Sequence, residues 1–206
     1  LEDTLKQLYK LVWFCRKVQI PFEVYAFTND SWMLDDRLDP SLMGTYSYDG
    51  VRPDHVKSRV LGEMVIPSEF RMVNMLSSQQ RGRDLDEMMK LIFAQCFAMC
   101  KHFMEYNRKF QLSGTPLNEA IIAVGQITKH IIKTTGIQKC HVVVLTDGDG
   151  FHSDVWKESS YDKKPMKACI YAGRSVIRQG HKTFSGGSSQ TDFTLGLVRA
   201  VKSELP

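Results

Sequence analysis

The stretch VVVLTDGDG, Val142–Gly150, decides the predicted fold. Four apolar residues run without a break into Thr146, and two acids follow, each directly before a glycine. An apolar run without alternation is typical of a strand that is buried on both faces of a parallel sheet. Because ligands bind at the carboxyl ends of such strands, we expect Asp147 to lie at the functional face of the fold. Gly148 and Gly150 allow the backbone to turn sharply there.

The composition indicates an ordinary globular protein. The chain has 206 residues, a length typical of one domain, with 43% apolar and 24% charged residues. It contains no apolar run near the roughly 18 residues of a membrane span. The net charge of +4 comes from Lys and Arg spread along the chain, which does not favour a nucleic-acid partner. The five Cys show no metal-type pairing, and we expect Cys96 and Cys100 to be core residues. This pattern favours a reducing, cytoplasmic setting.

Four segments carry the apolar spacing of helices: residues 1–15, 84–107, 116–136 and a last one from about 191. The second of these is apolar almost all round, so we expect it to be deeply buried, with Asp84 at its N-cap. Thr115 is suited to cap the third helix, with Pro116 as its first residue and Gly136 at its end.

Besides the opening stretch, strands are predicted at residues 20–27 and 70–76. Residues 30–58 read as a long insertion, 151–166 as a polar loop, and 167–184 as a segment with a short hairpin. Alternating strands and helices predict an α/β fold: one domain with an open, mostly parallel sheet and helices on both faces.

Two motif halves carry a resemblance to a known family. Thr115 stands in Gly114–Ala120, GTPLNEA, and Asp147 ends the apolar strand that follows it. A hydroxyl and a carboxylate are hard oxygen donors of the kind that Mg²⁺ or Mn²⁺ takes. Together they resemble the von Willebrand factor A (VWA) domain, whose metal-ion-dependent adhesion site uses a Thr, a strand-end Asp and an Asp-x-Ser-x-Ser loop. The resemblance implies Thr115 and Asp147 as metal ligands, with Ser113 and Asp149 supporting them.

The chain departs from that family at its ends. The Asp-x-Ser-x-Ser loop precedes the first helix in VWA domains, and no such motif precedes Ile20 here. The resemblance therefore implies a fold that is incomplete at both ends, without its first and last strands. We expect the chain as given to bind Mg²⁺ weakly or not at all, because one Thr and one Asp replace too little of the hydration shell.

Within the family, Thr183–Pro206 looks most similar to the cobaltochelatase large-subunit type, including versions encoded by phages. That resemblance implies a non-catalytic module in which the cation bridges to an acidic side chain of a partner protein. It implies a MoxR-like AAA+ ATPase as the partner, in the cytoplasm, and neither nucleic acid nor membrane.

Other interpretations of the same segments remain open. Asp147, Asp149 and His152 are the residues that a metal-dependent hydrolase would use, while an Asx turn explains Asp149 equally well. A calcium loop that includes Asp154 is disfavoured, because His152 stands where an EF-hand needs Gly. The Gly/Ser-rich segment 185–193 is suited to hold an anion at a helix start, although it lacks the Lys of a P-loop. Candidates for a partner surface are Trp32, Tyr46, Tyr48, Ser188 and Ser189, and a packed flap explains the three aromatic residues equally well.

Overall fold

The computed structural model describes residues 2–29, 60–67, 70–101, 114–146, 148, 150, 152–170 and 175–205, with the backbone alone for 99–101. Its elements are, in chain order, α1 (Glu2–Val18), β1 (Glu23–Thr28), β2 (Met64–Val65), β3 (Arg71–Ser77), α2 (Gly82–Lys101), α3 (Leu117–Thr135), β4 (Asp154–Glu158), β5 (Pro165–Cys169), β6 (Val176–Gln179), β7 (Lys182–Ser185) and α4 (Gln190–Lys202). They form two compact units; the first holds α1, β1, β3, α2 and residues 142–148, and the second holds the other elements. None of these helices is long and apolar enough to cross a membrane.

In the first unit, α1 and α2 pack with an antiparallel strand pair. β1 and β3 pair with Glu23 opposite Ser77 and Thr28 opposite Arg71. The core consists of Leu5, Val12, Leu76, Leu85, Ile92 and Cys96. Leu5 and Val12 are two turns apart on one face of α1, as the apolar spacing predicts. The predicted first helix and the two predicted strands of this unit are therefore confirmed.

α2 is less buried than its sequence predicts. It begins at Gly82, so Asp84 lies in the first turn and not at the N-cap. Leu91, Phe93 and Phe97 are exposed, and the two Phe rings stack on each other with centroids 6.2 Å apart. The prediction of a deeply buried helix is therefore wrong for the described part, because the unit covers one face of α2 and leaves the opposite face open.

The apolar run Val142–Leu145 is not a buried strand. Residues 141–146 carry no strand pairing, and Val142, Val143 and Val144 are 44%, 62% and 45% exposed. Burial of such a run requires a strand on each side, and within the described ranges β1 and β3 form a two-stranded sheet by themselves. The prediction that this stretch is buried on both faces is therefore wrong.

In the second unit, α3 and α4 pack on each other, and α4 also packs on the hairpin of β6 and β7. A separate antiparallel sheet has the strand order β2-β4-β5. Ile121, Phe193 and Leu197 form the helical core, and Val65 packs against Trp156 in the sheet. The chain is thus a mixture of helices and small antiparallel sheets. An open parallel sheet is not present in the described ranges.

The segment 151–166, predicted as a polar loop, instead contains β4 and the start of β5. Their turn is closed by Ser159, whose N–H donates to the Lys164 carbonyl oxygen at 2.9 Å. The hairpin predicted within 167–184 is present as β6 and β7, which end one residue later than predicted. Both hairpins are short, and a strand of four or five residues carries little periodic signal.

The predicted end of α3 agrees with the structure, whereas its predicted N-cap does not. Gly136 is left-handed, with φ 68°, and donates its N–H to the Ile132 carbonyl oxygen at 3.0 Å, so the predicted end of α3 is confirmed. At its start, Pro116 takes the N-cap position and makes no side-chain cap hydrogen bond. The predicted cap by Thr115 is therefore wrong by one residue. α4 begins slightly earlier than predicted, after Ser189 as N-cap.

Candidate functional site

The segment that carries Thr115 lies at the carboxyl end of β1. Gly114 has φ 70°, and a Cβ built on it would lie 1.8 Å from Asn29 Oδ1. Asn29 is the residue that directly follows β1. The left-handed backbone and the close approach both require glycine at this position. Thr115, which is half-buried, therefore follows a tight backbone turn beside the carboxyl end of β1.

Gly150 places the chain that follows Asp149 against the first turn of α3. A Cβ built on Gly150 would lie 3.0 Å from Leu117 Cβ, which is tighter than ordinary van der Waals contact. Leu117 is two residues beyond Thr115, and Gly150 is three residues beyond Asp147. The two motif halves of the predicted site thus continue into segments that touch each other.

Asp147 lies outside the described residues, as do Ser113, Asp149, Trp32, Tyr46 and Tyr48. The two neighbours of Asp147 are described. Thr146 Oγ1 donates to the Gly148 carbonyl oxygen at 2.9 Å and accepts from the Gly148 N–H at 3.3 Å. The threonine of the apolar-Thr-Asp-Gly motif therefore has a local role: its hydroxyl ties together the residues on either side of the acid.

The second unit contains a buried polar cluster. Asn118 and Ser153 are 0% and 2% exposed, and Asn118 Nδ2 donates to Ser153 Oγ at 2.9 Å. Thr194 Oγ1 donates to Asn118 Oδ1 at 2.8 Å. The cluster therefore joins the first turn of α3, the residue before β4 and the second turn of α4.

Glu119 is the charged member of this cluster. It is 5% exposed and forms a side-chain hydrogen bond with Ser153. Burial raises the pKa of Glu119 above its usual value, and the nearby charge of Asp154 raises it further, while the hydrogen bond from Ser153 opposes the shift. A carboxyl group in this setting holds a proton at a higher pH than an exposed one.

His152, a residue of the hydrolase interpretation, lies at the surface next to this cluster. Its Nδ1 is 3.2 Å from Gln190 Oε1. An amide oxygen can only accept, so this contact is a hydrogen bond in the tautomer that has its proton on Nδ1. Two residues further along, Asp154 begins β4. The calcium-loop interpretation is therefore wrong, because an EF-hand loop leads into a helix and not into a strand.

The Gly/Ser-rich segment forms the N-cap of α4. Ser189 Oγ accepts from the Asp192 N–H, and Asp192 Oδ2 accepts from the N–H groups of Ser188 and Ser189, all at 3.1 Å. This is a capping box with aspartate in the acidic position. The hydrogen bonds from Ser189 and then Ser188 lower the pKa of Asp192. Ser188 and Ser189 are exposed, as a partner surface requires, but their polar groups serve the helix cap.

Among the residues that the structure describes, no three His, Cys, Asp or Glu side chains lie close enough to hold a metal ion. The predicted donors are of the right type, since Mg²⁺ is commonly held by one or two carboxylates with several waters. Thr115 would supply a hydroxyl oxygen and Asp147 a carboxylate. A cation at this position would offer a charged coordination centre to an incoming acid.

Sequence reasoning missed the buried cluster. Asn118 and Glu119 stand in GTPLNEA, which was interpreted through Thr115 alone. The available signal was the helical spacing of Asn118, Ile121 and Gly125, which places a polar residue on the buried face of α3. Its partners Ser153 and Thr194 are 35 and 76 residues away in the chain, and no local pattern identifies them.

In comparisons with protein-family models, with curated proteins and with solved structures, nothing matches this chain.

Proposed function

We propose that this chain is a VWA-type domain that binds a partner protein through a divalent cation, Mg²⁺ or Mn²⁺, held by Thr115 and Asp147. The observation that carries the proposal is the approach of Gly150 to Leu117. It places the segment downstream of the acid motif against the helix turn downstream of the threonine motif. This contact supports the proposal, because a shared cation requires that the segments following the two motifs come together.

The proposal includes the partner and the setting that the family resemblance implies. An acidic side chain of the partner would take an open coordination position of the cation, so the ion joins two proteins without doing chemistry. The partner class is a MoxR-like AAA+ ATPase, within a cytoplasmic complex of the cobaltochelatase type, in a cell or a phage-infected host. An open, mostly parallel sheet belongs to the same proposal.

Cation binding is tested with Mn²⁺, because its electron paramagnetic resonance signal reports the free ion and detects weak binding. We expect the wild-type chain to reduce the free Mn²⁺ signal only weakly, because one Thr and one Asp replace little of the hydration shell, and Thr115→Ala and Asp147→Ala to restore it. Thr191→Ala is the matched control, since Thr191 is an exposed threonine in α4. Equal Mn²⁺ binding by the wild type and the two site variants would refute this ligand assignment.

Partner binding is tested with a purified MoxR-like ring in Mg²⁺ and in EDTA. A binding module should associate with the ring in Mg²⁺, dissociate in EDTA and lose the interaction on Asp147→Ala. The hydrolase that uses Asp147, Asp149 and His152 would instead turn over a phosphate or carboxylic ester in Mn²⁺. Metal-dependent turnover that His152→Ala abolishes would refute the binding-module proposal.

A further inference from the structure

The buried cluster of the second unit is a directed chain of four side chains, Thr194, Asn118, Ser153 and Glu119. The Thr194 hydroxyl donates to Asn118 Oδ1, and Asn118 Nδ2 donates to Ser153 Oγ. The Ser153 hydroxyl proton is then available for the Glu119 carboxylate, with which it forms the third hydrogen bond. The Asn118 amide is paired on both sides, although Thr194 Oγ1 also lies 3.1 Å from the Gln190 carbonyl oxygen.

Three chain segments meet through these side chains. Thr194 lies at the start of the second turn of α4, five residues beyond its N-cap Ser189. Ser153 precedes β4, and its carbonyl oxygen accepts from the Ile170 N–H at 2.8 Å, which fixes the strand pair beyond it. Asn118 belongs to the first turn of α3 and contacts both of them. It is the one member of the cluster that touches each of the other two segments.

We infer that Asn118 is a positioning residue that holds the segment before β4 and the start of α4 in register with the first turn of α3. It thereby sets the positions of two segments of the second unit at once: the residues that lead into β4, which follow Asp147 in the chain, and the N-cap loop with Ser188 and Ser189. The inference rests on the proposed function for the identity of the site that is positioned. The hydrogen-bond chain that does the positioning is independent of it.

The physical reason for a polar link lies in its directionality. Burying an amide and a hydroxyl is costly unless both are hydrogen-bonded, and an apolar side chain of similar size would fill the same space without that cost. An apolar contact tolerates sliding and rotation, whereas a chain of hydrogen bonds permits one arrangement. Asn118 at 0% exposure, with both ends of its amide paired, fixes distance and orientation together.

The test uses substitutions on either side of Asn118, so that Asn118 stays in place. Thr194→Val keeps the shape of the side chain and removes its hydroxyl, and Ser153→Ala removes the hydroxyl that accepts from Asn118 Nδ2. Amide hydrogen exchange is measured on the full chain in EDTA, without partner. We expect Thr194→Val to speed amide exchange about fivefold, because one buried hydrogen bond is lost. The faster exchange should appear in the helical turn that holds Thr194 and also in residues 153–156, which are linked to Thr194 through Asn118. Ser153→Ala should likewise speed amide exchange at the other linked segment, residues 189–194.

Ile121→Val is the matched control, because Ile121 is a buried residue of the same helix and unit without a polar contact in the cluster. It separates a general loss of stability, which speeds exchange throughout the unit, from a change confined to the two linked segments. Changes confined to the mutated segment, or the same pattern in Ile121→Val, would overturn the inference.

A second measurement connects the positioning to the proposed site. Mn²⁺ affinity should fall several-fold in Thr194→Val and remain at the wild-type value in Ile121→Val, although neither residue is a ligand. Unchanged affinity in Thr194→Val would overturn the positioning of the cation site. If the wild-type chain binds no Mn²⁺, the proposed function fails, and the exchange pattern still decides whether Asn118 links the two segments.

Discussion

Replacing Gly196 by alanine is expected to destabilise the second unit, because α4 crosses β7 there without room for a side chain. A Cβ built on Gly196 would lie 2.6 Å from the Ser185 carbonyl oxygen and 2.8 Å from Ile177 Cδ1, both below the 3.0 Å that real Cβ atoms keep. The Ile177 side chain can rotate. The carbonyl oxygen is part of the β7 backbone, so it can move only if the strand or the helix moves.

The magnitude follows from two opposing effects. Overpacking a core costs about 1–3 kcal/mol, and a contact with backbone belongs at the upper end of that range. Alanine in a helix interior recovers up to about 1 kcal/mol relative to glycine. Their difference predicts that Gly196→Ala lowers the free energy of unfolding by about 2 kcal/mol.

Urea unfolding followed by far-ultraviolet circular dichroism measures this loss. Gly82→Ala is the control, because a Cβ on Gly82 at the start of α2 would meet no atom within 4 Å. That variant should be as stable as the wild type or more stable by up to about 1 kcal/mol. If Gly196→Ala is as stable as the wild type while Gly82→Ala behaves as expected, α4 does not lie on β7 at the described distance.

Two further predictions concern the polar groups of the same unit. Glu119→Gln should raise the free energy of unfolding at neutral pH, because burial raises the pKa of Glu119 in the folded protein. The folded wild type then binds this proton more tightly than the unfolded chain, so its stability rises as the pH falls from the raised pKa towards 4.5. Urea titrations across this pH window should show a smaller change of stability with pH for Glu119→Gln than for the wild type. An equal change would contradict the burial of Glu119. Ser189→Ala should cost about 1 kcal/mol by removing the hydroxyl that accepts from the Asp192 N–H, whereas Thr191→Ala should change stability little. Equal urea midpoints for these two variants would contradict the capping box.

Local chemistry made several elements predictable from the sequence. The spacing of Leu5 and Val12 predicted α1 and the face that it buries. Gly136 predicted the end of α3 because a left-handed residue closes a helix at little cost when it is glycine. The start of α3 was misplaced by one residue, because Thr115 and Pro116 both favour helix starts and the sequence does not rank them. These signals depend on neighbours within one or two turns, which the sequence displays directly.

The errors concern features that depend on distant partners. The apolar run Val142–Leu145 has the composition of a central strand, but a strand is buried by its neighbours and not by its own residues. The outer face of α2 was mispredicted for the same reason: its residues are apolar, but no neighbouring element covers them in the described part of the chain. The Asn118 cluster is the opposite case, since a polar residue is buried because Ser153 and Thr194 come from far along the chain to meet it. Predicting burial from the polarity of a residue alone therefore fails both for these exposed apolar residues and for the buried Asn118.

The two helix starts of the second unit differ in how they are closed to an acidic partner. At α4, the Asp192 carboxylate accepts from the N–H groups of Ser188 and Ser189, so the chain itself fills the anion position of its Gly/Ser-rich segment. At α3, Pro116 takes the N-cap position without a side-chain cap. The positive end of a helix favours negative charge, and its effect falls off within the first turn. The start of α4 is therefore filled by the chain's own carboxylate, whereas the start of α3 is uncapped but enclosed, with Asn118 and Glu119 buried in its first turn, and neither is open to a partner carboxylate.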